Sequence, residues 1–201
     1  MAAMQGLRAM GKAMARSARI LLAVAFISSL AAGNAYAAGN ACEAEIIRAS
    51  AKYGVPTGIL YAVGLTETGV RGSLQPFALN IEGKAVFARS RGQALRAFEQ
   101  ARRNGMKLID LGCMQINHHY HGDQFASPAE MLDPHRNVDY AARFLANLKR
   151  SHKSWSMAVA RYHAGPNNDP AQKRYVCRVI ANLVATGFGR WTANARSFCN
   201  S

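Results

Sequence analysis

One glutamate lies on the apolar side of a predicted helix. The residues one and two turns before Glu67, on the helix predicted over 57–68, are apolar or small: Leu60, Val63 and Gly64. Carboxylates are seldom fully buried without a partner, and burial disfavours their charged form, so we expect the pKa of Glu67 to be raised. The partial negative charge at the helix C-terminus acts in the same direction. Glu67 is therefore a candidate proton donor near neutral pH. Pairing with an arginine, or exposure where the helix frays, remains an alternative explanation.

Two further segments carry polar groups among small and apolar residues. In residues 110–117 the amides of Gln115 and Asn117 lie close to a glycine, which suits hydrogen bonding to a neutral polar ligand such as a sugar. Polar residues beside a glycine are also common in plain turns. In residues 158–165 small side chains allow close helix packing, and Tyr162 could point into a groove. A segment of that kind is more often ordinary helix core.

Taken together and in this order, the three segments resemble the motifs of the soluble lytic transglycosylases, which share the goose-type lysozyme fold. In that family the catalytic glutamate ends a helix in an E-S motif, followed by G-L-M-Q-[IV] and then by A-x-A-Y-N-x-G. Here the motifs read Glu67-Thr68, residues 112–116 and residues 158–165. The resemblance covers roughly residues 42–185.

The sequence departs from these motifs at three positions. Thr68 replaces serine and keeps the hydroxyl, and Cys113 replaces leucine. His163 replaces asparagine, and Tyr162 falls one place later than the spacing of the motif. The hairpin and helix predicted over 77–104 look like the insertion of members linked to secretion and conjugation systems.

The resemblance implies a peptidoglycan lytic transglycosylase that needs no cofactor. Its one catalytic group would be Glu67, which protonates the β-1,4 bond between N-acetylmuramic acid and N-acetylglucosamine. Glu67 would then take the proton of the sugar's 6-hydroxyl, leaving a 1,6-anhydro end. The residues expected to bind the saccharide are Thr68, Met114, Gln115, Asn117 and Tyr162. The expected partners are peptidoglycan glycan strands, and the resemblance suggests a secretion or conjugation apparatus as a further one.

Two other functions remain open. A second carboxylate would imply a hydrolysing lysozyme, and Glu82 and Asp110 are the candidates near the motifs. We expect Glu82 to be solvated in a hairpin turn and Asp110 to tie a loop or cap a helix. The other alternative is a non-catalytic peptidoglycan-binding component of a secretion apparatus, although such a protein has no reason to keep a buried carboxylate.

Three histidines within four residues raise the question of a metal site. They are His118, His119 and His121. Adjacent histidines on one helix point in different directions, and no acidic residue stands at ligand spacing. We therefore expect a loop at the rim of a cleft and no metal.

The hydrophobic pattern and the resemblance together predict a mainly α, lysozyme-like helical domain with a small β-hairpin insertion. The predicted helices cover about residues 42–53, 57–68, 90–104, 154–164 and 171–185, with further starts at Ser127 and Asp133. Two short apolar runs around Gly83 predict the hairpin over 77–88. Residues from Gly187 onward are expected to be irregular.

The length, charge and N-terminus indicate one exported domain. The chain has 201 residues, is half hydrophobic and carries a formal net charge of +14, which excludes disordered and fibrous classes. Four basic residues precede the apolar run 20–30, and Ala35-Tyr36-Ala37 fits a cleavage site. We predict a signal peptide over 1–37 and the transglycosylase domain over 38–201, located in the periplasm. An uncleaved amphipathic anchor is the alternative for the first segment.

Removal of the signal peptide leaves 21 positive and 11 negative residues, a net charge of +10. Such a charge favours polyanions, among them an acidic cell-wall polymer, or simply keeps the protein soluble. Export argues against nucleic acid as a partner, and we expect a monomer.

Four cysteines lie in the mature part, an even number that suggests disulfides in an exported chain. Cys42 and Cys199 bracket the domain, and the termini of single domains are often close together. We therefore predict a Cys42–Cys199 bond. Cys113 and Cys177 would then form a second bond or remain buried thiols.

Overall fold

The computed structural model describes residues 40–200, so the signal peptide predicted over 1–37 lies outside the described residues. Within that range the chain forms nine α-helices and one antiparallel sheet of four short strands. The helices are α1 (Ala41–Tyr53), α2 (Thr57–Thr68), α3 (Arg91–Arg103), α4 (His118–His121), α5 (Pro128–Met131), α6 (Pro134–His152), α7 (Trp155–His163), α8 (Asp169–Ala185) and α9 (Ala193–Asn200). The predicted mainly α, lysozyme-like domain with a β-hairpin is confirmed.

Side-chain caps start the helices where the sequence predicts them. The Ser90 side chain accepts a hydrogen bond from the backbone N–H of Gln93 at the start of α3. Ser127 and Asp133 cap α5 and α6 in the same way, and each is followed by a proline in the first turn. These caps satisfy backbone N–H groups that have no partner inside a helix, so they define the helix starts from local chemistry alone.

The centre of the core is α6. Its inner face carries Val138, Ala141, Ala142 and Leu145, all 0% exposed. These residues recur at three- and four-residue steps, which places them on one side of the helix. α1 and α7 pack against α6, and α2 packs against α8. The last residue of α2, Thr68, is 2% exposed, so this end of the helix is packed against the rest of the domain.

The sheet is larger than predicted. Strands β1 (Ala78–Ile81) and β2 (Lys84–Phe87) form the predicted hairpin. Two further strands, β3 (Ile109–Leu111) and β4 (Ile116–Asn117), extend it in the order β2-β1-β3-β4. Segments of three and two residues are too short to show an alternating pattern, and they become strands only by pairing with β1 and with each other.

The cysteine pairing differs from the prediction. The bonds join Cys42 with Cys113 and Cys177 with Cys199, each pair with Cα atoms 5.7 Å apart. The predicted Cys42–Cys199 and Cys113–Cys177 bonds are therefore wrong. The physical reason is that the C-terminal segment packs along α8, which carries Cys177, and not against α1. The start of α1 lies instead beside the loop between β3 and β4.

The tail expected to be irregular contains a helix. Residues from Gly187 form a turn, and α9 then runs from Ala193 to Asn200. Its contacts with α8 and the Cys177–Cys199 bond hold it in place. An eight-residue segment has little helix stability of its own, so tertiary contacts decide its structure. Among residues 40–200 no helix is long and apolar enough to cross a membrane.

Candidate active site

Glu67 lies in the last turn of α2 and is partly buried. Its Oε1 accepts a hydrogen bond from the hydroxyl of Tyr175, which lies on α8, at 2.5 Å. Tyr175 is 0% exposed. The sequence analysis missed this residue, although a tyrosine on the apolar side of a helix needs a hydrogen-bond partner for its hydroxyl. The partner stands 108 residues away, so the sequence alone did not reveal it.

Burial raises the pKa of Glu67 from 4.5 to about 7. The next largest effect is the hydrogen bond from Tyr175, which lowers the pKa. The negative charge of Asp110 then raises the pKa, and the positive charge of Arg178 has the smallest effect and lowers it. Burial favours the neutral acid, whereas the tyrosine hydroxyl favours the anion. The carboxyl can therefore both give and accept a proton near neutral pH.

Close packing of α2 against its neighbours fixes the glutamate. A Cβ on Gly64 would lie only 2.7 Å from Leu74 Cδ2 and 3.2 Å from Met114 Sδ. A larger residue at this position would require Leu74 or Met114 to shift, so the glycine allows the present close packing of α2. Next to Glu67 in the chain, Thr66 Oγ1 accepts a hydrogen bond from Asn182 Nδ2 on α8 at 2.9 Å, which joins the two helices directly.

The loop between β3 and β4, residues 112–115, is held from α6 by Asn137. The backbone N–H of Met114 donates to Asn137 Oδ1 at 2.8 Å, and Asn137 Nδ2 donates to the carbonyls of Leu111 and Met131, each at 2.8 Å. Asn137 is 0% exposed and all these bonds are buried. It is a second residue that the sequence analysis missed. An asparagine on the inner face of α6 was the available signal, because a buried amide must be hydrogen-bonded.

The loop conformation requires unusual backbone angles at both ends. Gly112 has φ 79°, and a Cβ there would lie 2.6 Å from Asn137 Nδ2, so a side chain would collide with the amide that holds the loop. Gln115 has φ 46°. Its Nε2 donates to the carbonyls of Ala78 and Gly112, at 3.1 and 3.0 Å, which ties the side chain to β1 and to its own turn.

Two of the predicted site residues hold the same loop from the helices. The Tyr162 hydroxyl, on α7, donates to the carbonyl of Met114 at 2.7 Å. Thr68 Oγ1 donates to the carbonyls of Cys113 and Gly64, at 3.0 and 3.2 Å. The hydrogen bonds thus bring the predicted loop and the ends of two predicted helices together.

Two of the residues predicted to bind a saccharide are buried. Thr68 is 2% exposed and Met114 is 0% exposed. Both residues therefore pack inside the domain, and Thr68 holds the loop through its hydroxyl. Their contact with a saccharide stays a prediction. Gln115, Asn117 and Tyr162 are partly exposed.

A row of polar side chains crosses the sheet. In the strand register Asn80 on β1 faces Asp110 on β3, which faces Asn117 on β4. Residues directly opposite each other point to the same side of a sheet. Asn117 Nδ2 donates to Asp110 Oδ1 at 2.6 Å, and its Oδ1 caps α4. Burial raises the pKa of Asp110, and the bond from Asn117 lowers it. Asp110 ties β3 to β4, consistent with the expected structural role.

The transglycosylase SLT domain family matches residues 44–182, well over half of the chain. The matched span contains Glu67, Tyr175 and the whole loop at 112–115. The chain belongs to the transglycosylase SLT domain family. No match was found among curated proteins or among solved structures. In this SLT domain both disulfides have one cysteine outside the matched span, Cys42 and Cys199.

His163, where the family motif has asparagine, stacks on the tyrosine that binds the glutamate. Its ring is parallel to that of Tyr175 within 3°, with centroids 4.2 Å apart. The guanidinium of Arg178 lies 5.7 Å from the same ring centroid. Burial, followed by the positive charges of Arg178 and Arg174, lowers the pKa of His163. The lowered pKa favours the neutral form of the imidazole that stacks on Tyr175.

The histidine segment of this SLT domain forms the short helix α4 and not the expected loop. His121 Nδ1 is hydrogen-bonded to the Tyr140 hydroxyl at 2.8 Å. Within the described part of the chain no three histidine, cysteine or acidic residues are grouped as metal ligands. Glu82 is exposed in the turn between β1 and β2, where its Oε1 accepts from the backbone N–H of Lys107 at 3.1 Å.

Proposed function

We propose that this SLT domain is a peptidoglycan lytic transglycosylase. It cleaves the β-1,4 bond between N-acetylmuramic acid and N-acetylglucosamine and leaves 1,6-anhydro ends. Family membership supports the substrate class. The observation that carries the reaction type is the environment of Glu67. Its carboxyl is partly buried and has a pKa raised to about 7, and one of its two oxygens accepts a hydrogen bond from Tyr175.

The first step uses the protonated carboxyl. Glu67 donates its proton to the glycosidic oxygen as the bond from that oxygen to the anomeric carbon breaks. Positive charge develops on the sugar ring, and the substrate's own acetamido group stabilises it, as in other glycosidases that lack a carboxylate nucleophile. Burial keeps a large fraction of Glu67 protonated near neutral pH, so the acid is available.

The second step uses the ionised carboxyl. Glu67 takes the proton of the sugar's 6-hydroxyl, whose oxygen bonds to the anomeric carbon and closes the 1,6-anhydro ring. The carboxyl returns to its protonated form, and no water is consumed. The hydroxyl of Tyr175 donates to Glu67 and stabilises the anion between the two steps. Glu67 can act first as the acid and then as the base because burial favours its neutral form while the hydrogen bond from Tyr175 favours its anion.

The saccharide is bound by the polar groups that keep contact with solvent. We assign Gln115, Asn117 and Tyr162 to this role, as the family resemblance implies. The amide of Gln115 is held on β1 and the loop, and Asn117 belongs to the polar row of the sheet. Since Gln115 Nε2 uses both of its donors on the Ala78 and Gly112 carbonyls, its Oε1 is the acceptor it presents to a sugar hydroxyl. Asn117 Nδ2 keeps one donor beside its bond to Asp110. Groups fixed in this way bind at low entropic cost.

A specific observation favours hydrolysis as the second candidate function. Asp110 lies close enough to Glu67 for its charge to raise the pKa of the glutamate. A hydrolysing enzyme of the usual kind needs two carboxyl groups flanking the bond. Against this, Asp110 already accepts a hydrogen bond from Asn117 at 2.6 Å, and its own pKa is raised by burial.

Digestion of purified peptidoglycan sacculi separates these functions. Mass spectrometry should find 1,6-anhydro ends and no incorporation of heavy oxygen from labelled water. Reducing ends that carry the label would show a hydrolase, and Asp110→Asn should then abolish cleavage. Binding of sacculi without any products would identify a non-catalytic binding protein. Glu67→Gln is the control, since it keeps the side-chain volume and removes the transferable proton.

The place of action is part of the proposal. Peptidoglycan lies outside the cytoplasm, and two disulfides form in oxidising compartments. We therefore propose a monomer exported to the periplasm by the segment 1–37, with glycan strands as substrate and no cofactor. Association with a secretion or conjugation apparatus stays a prediction from the resemblance over 77–104.

A further inference from the structure

A second concave site lies away from Glu67. A groove of about 900 Å³ is enclosed by α7, α8 and α9, and we call it the C-terminal groove. Its apolar walls are formed by Met157, Ala160, Val176, Ile180 and Phe198. Neither Glu67 nor Tyr175 lines it, so it is separate from the candidate active site.

The groove exposes apolar side chains that a folded domain ordinarily covers. Met157 is 38% exposed and Phe198 is 46% exposed. The Cys177–Cys199 bond holds α9 against α8 next to Phe198, so the wall formed by α9 is covalently fixed. A volume of this size lies within the range of sites that bind small ligands and short peptide segments.

An arginine inside the groove has donors without acceptors. Arg161 lies on α7 and lines the groove. Its Nε and Nη1 are buried, and neither donates to any residue in the described part of the chain. A buried N–H without an acceptor costs about 1–3 kcal/mol, more for a charged group. Arg161 also lines the groove, so its guanidinium is placed to pair with a carboxylate bound there.

The charges around the groove favour an acidic partner. Residues 155–200 contain six basic residues against the single acidic residue Asp169. Of these charged residues, Arg161, Lys173 and Asp169 line the groove, while Arg178 lies over the ring of Tyr175. Lys173 Nζ lies 5.6 Å from the ring centroid of Phe198, at the groove itself.

We propose that the C-terminal groove binds an acidic, amphipathic peptide segment of another protein. A carboxylate of the segment pairs with Arg161, and its apolar side chains pack against Met157, Val176 and Phe198. The site is independent of peptidoglycan cleavage and directs where the enzyme is held. This proposal stands whether or not the reaction at Glu67 is the one described above.

Peptide display on the full exported chain, with both disulfides intact, tests the proposal. A random dodecapeptide library should give a consensus that combines acidic and apolar residues. Fluorescence anisotropy then measures the affinity of a synthetic peptide of the selected sequence. Arg161→Met should weaken binding by about tenfold or more. Arg174→Met, which removes a charge from the exposed side of α8 outside the groove, should change it little.

Two further measurements make each outcome decisive. Arg161→Met should not lower the melting temperature, since it removes two buried N–H groups that have no acceptor. Met157→Glu tests the apolar wall independently. The absence of an acidic and apolar consensus, or equal binding by the two arginine variants, overturns the proposal. Binding to phosphatidylglycerol vesicles that Arg161→Met abolishes, without a peptide consensus, would assign the groove to lipid headgroups instead.

Discussion

Replacement of Glu67 by glutamine should change how the stability of the protein depends on pH. The pKa of Glu67 is raised from 4.5 to about 7 in the folded protein, and unfolding returns it to the lower value. Below pH 4.5 the carboxyl is protonated in both states, so its burial costs nothing. Between the two pKa values the unfolded chain releases the proton while the folded protein keeps it, so stability falls as pH rises. Above about pH 7 both states are ionised and the cost is complete.

The pKa difference between the two states corresponds to about 3 kcal/mol of unfolding free energy. Because Glu67 keeps some contact with solvent, this value is an upper limit. A glutamine is neutral at every pH, and its carbonyl still accepts the hydrogen bond from Tyr175. The variant should therefore become more stable relative to the parent as pH rises from 4.5 to about 7, while peptidoglycan cleavage falls by roughly 10²-fold or more.

Urea unfolding at a series of pH values and constant ionic strength measures this difference. Subtracting the two curves cancels the groups that both proteins share. Glu99→Gln removes the same charge from an exposed position on α3 and reports any effect of net charge alone. A difference between parent and Glu67→Gln that stays constant within about 0.5 kcal/mol across this range would refute the raised pKa.

Three further substitutions test the surroundings of the glutamate. Tyr175→Phe removes a hydrogen bond that favours ionised Glu67, so the pKa of Glu67 and with it the upper pH limit of cleavage should rise. We expect kcat to fall about tenfold, and an unchanged pH profile would contradict this reasoning. Asn137→Ala leaves three backbone groups without the partner that the amide provides. The unfolding free energy measured by urea titration should fall by about 2–4 kcal/mol. A loss near zero would mean that water replaces the amide. Replacing Cys42 and Cys113 by serine removes the bond that closes a 71-residue stretch of chain. The loss of unfolding free energy should be at most about 4 kcal/mol in the chain-entropy model. A melting temperature equal to the parent's would show that packing alone holds the loop between β3 and β4.

Local chemistry predicted the helices because each start is written into a few neighbouring residues. Ser90, Ser127 and Asp133 each accept a hydrogen bond from the backbone N–H three residues later. The donor and the acceptor of each bond are therefore close together in the sequence. Glu67 was predicted for the same reason, since its place on the apolar side of α2 follows from helical spacing. Its raised pKa agrees with that argument.

The missed features depend on contacts between distant residues. Strand β4 has two residues and exists only because β3 lies beside it. The partner of Tyr175 is 108 residues away, and the cysteine pairs depend on which helices pack together. The Cys42–Cys199 bond was predicted because the termini of single domains are often close together. In this protein α9 packs along α8 instead, which brings Cys199 to Cys177.

The Cys42–Cys113 bond gives the replacement of leucine by cysteine in the loop motif a physical meaning. A buried leucine would stabilise the fold by roughly 2–3 kcal/mol through apolar burial, while the disulfide contributes up to about 4 kcal/mol in the chain-entropy model. The two values are similar, so stability alone does not distinguish them. The difference lies in position, because a covalent bond to α1 adds a fixed point to a loop already held by Thr68, Asn137 and Tyr162. A catalytic acid gains most from a rigid frame, since small displacements of reacting groups cost rate. We therefore expect loss of this disulfide to lower kcat more than loss of the Cys177–Cys199 bond, which fixes the C-terminal groove and does not reach the loop.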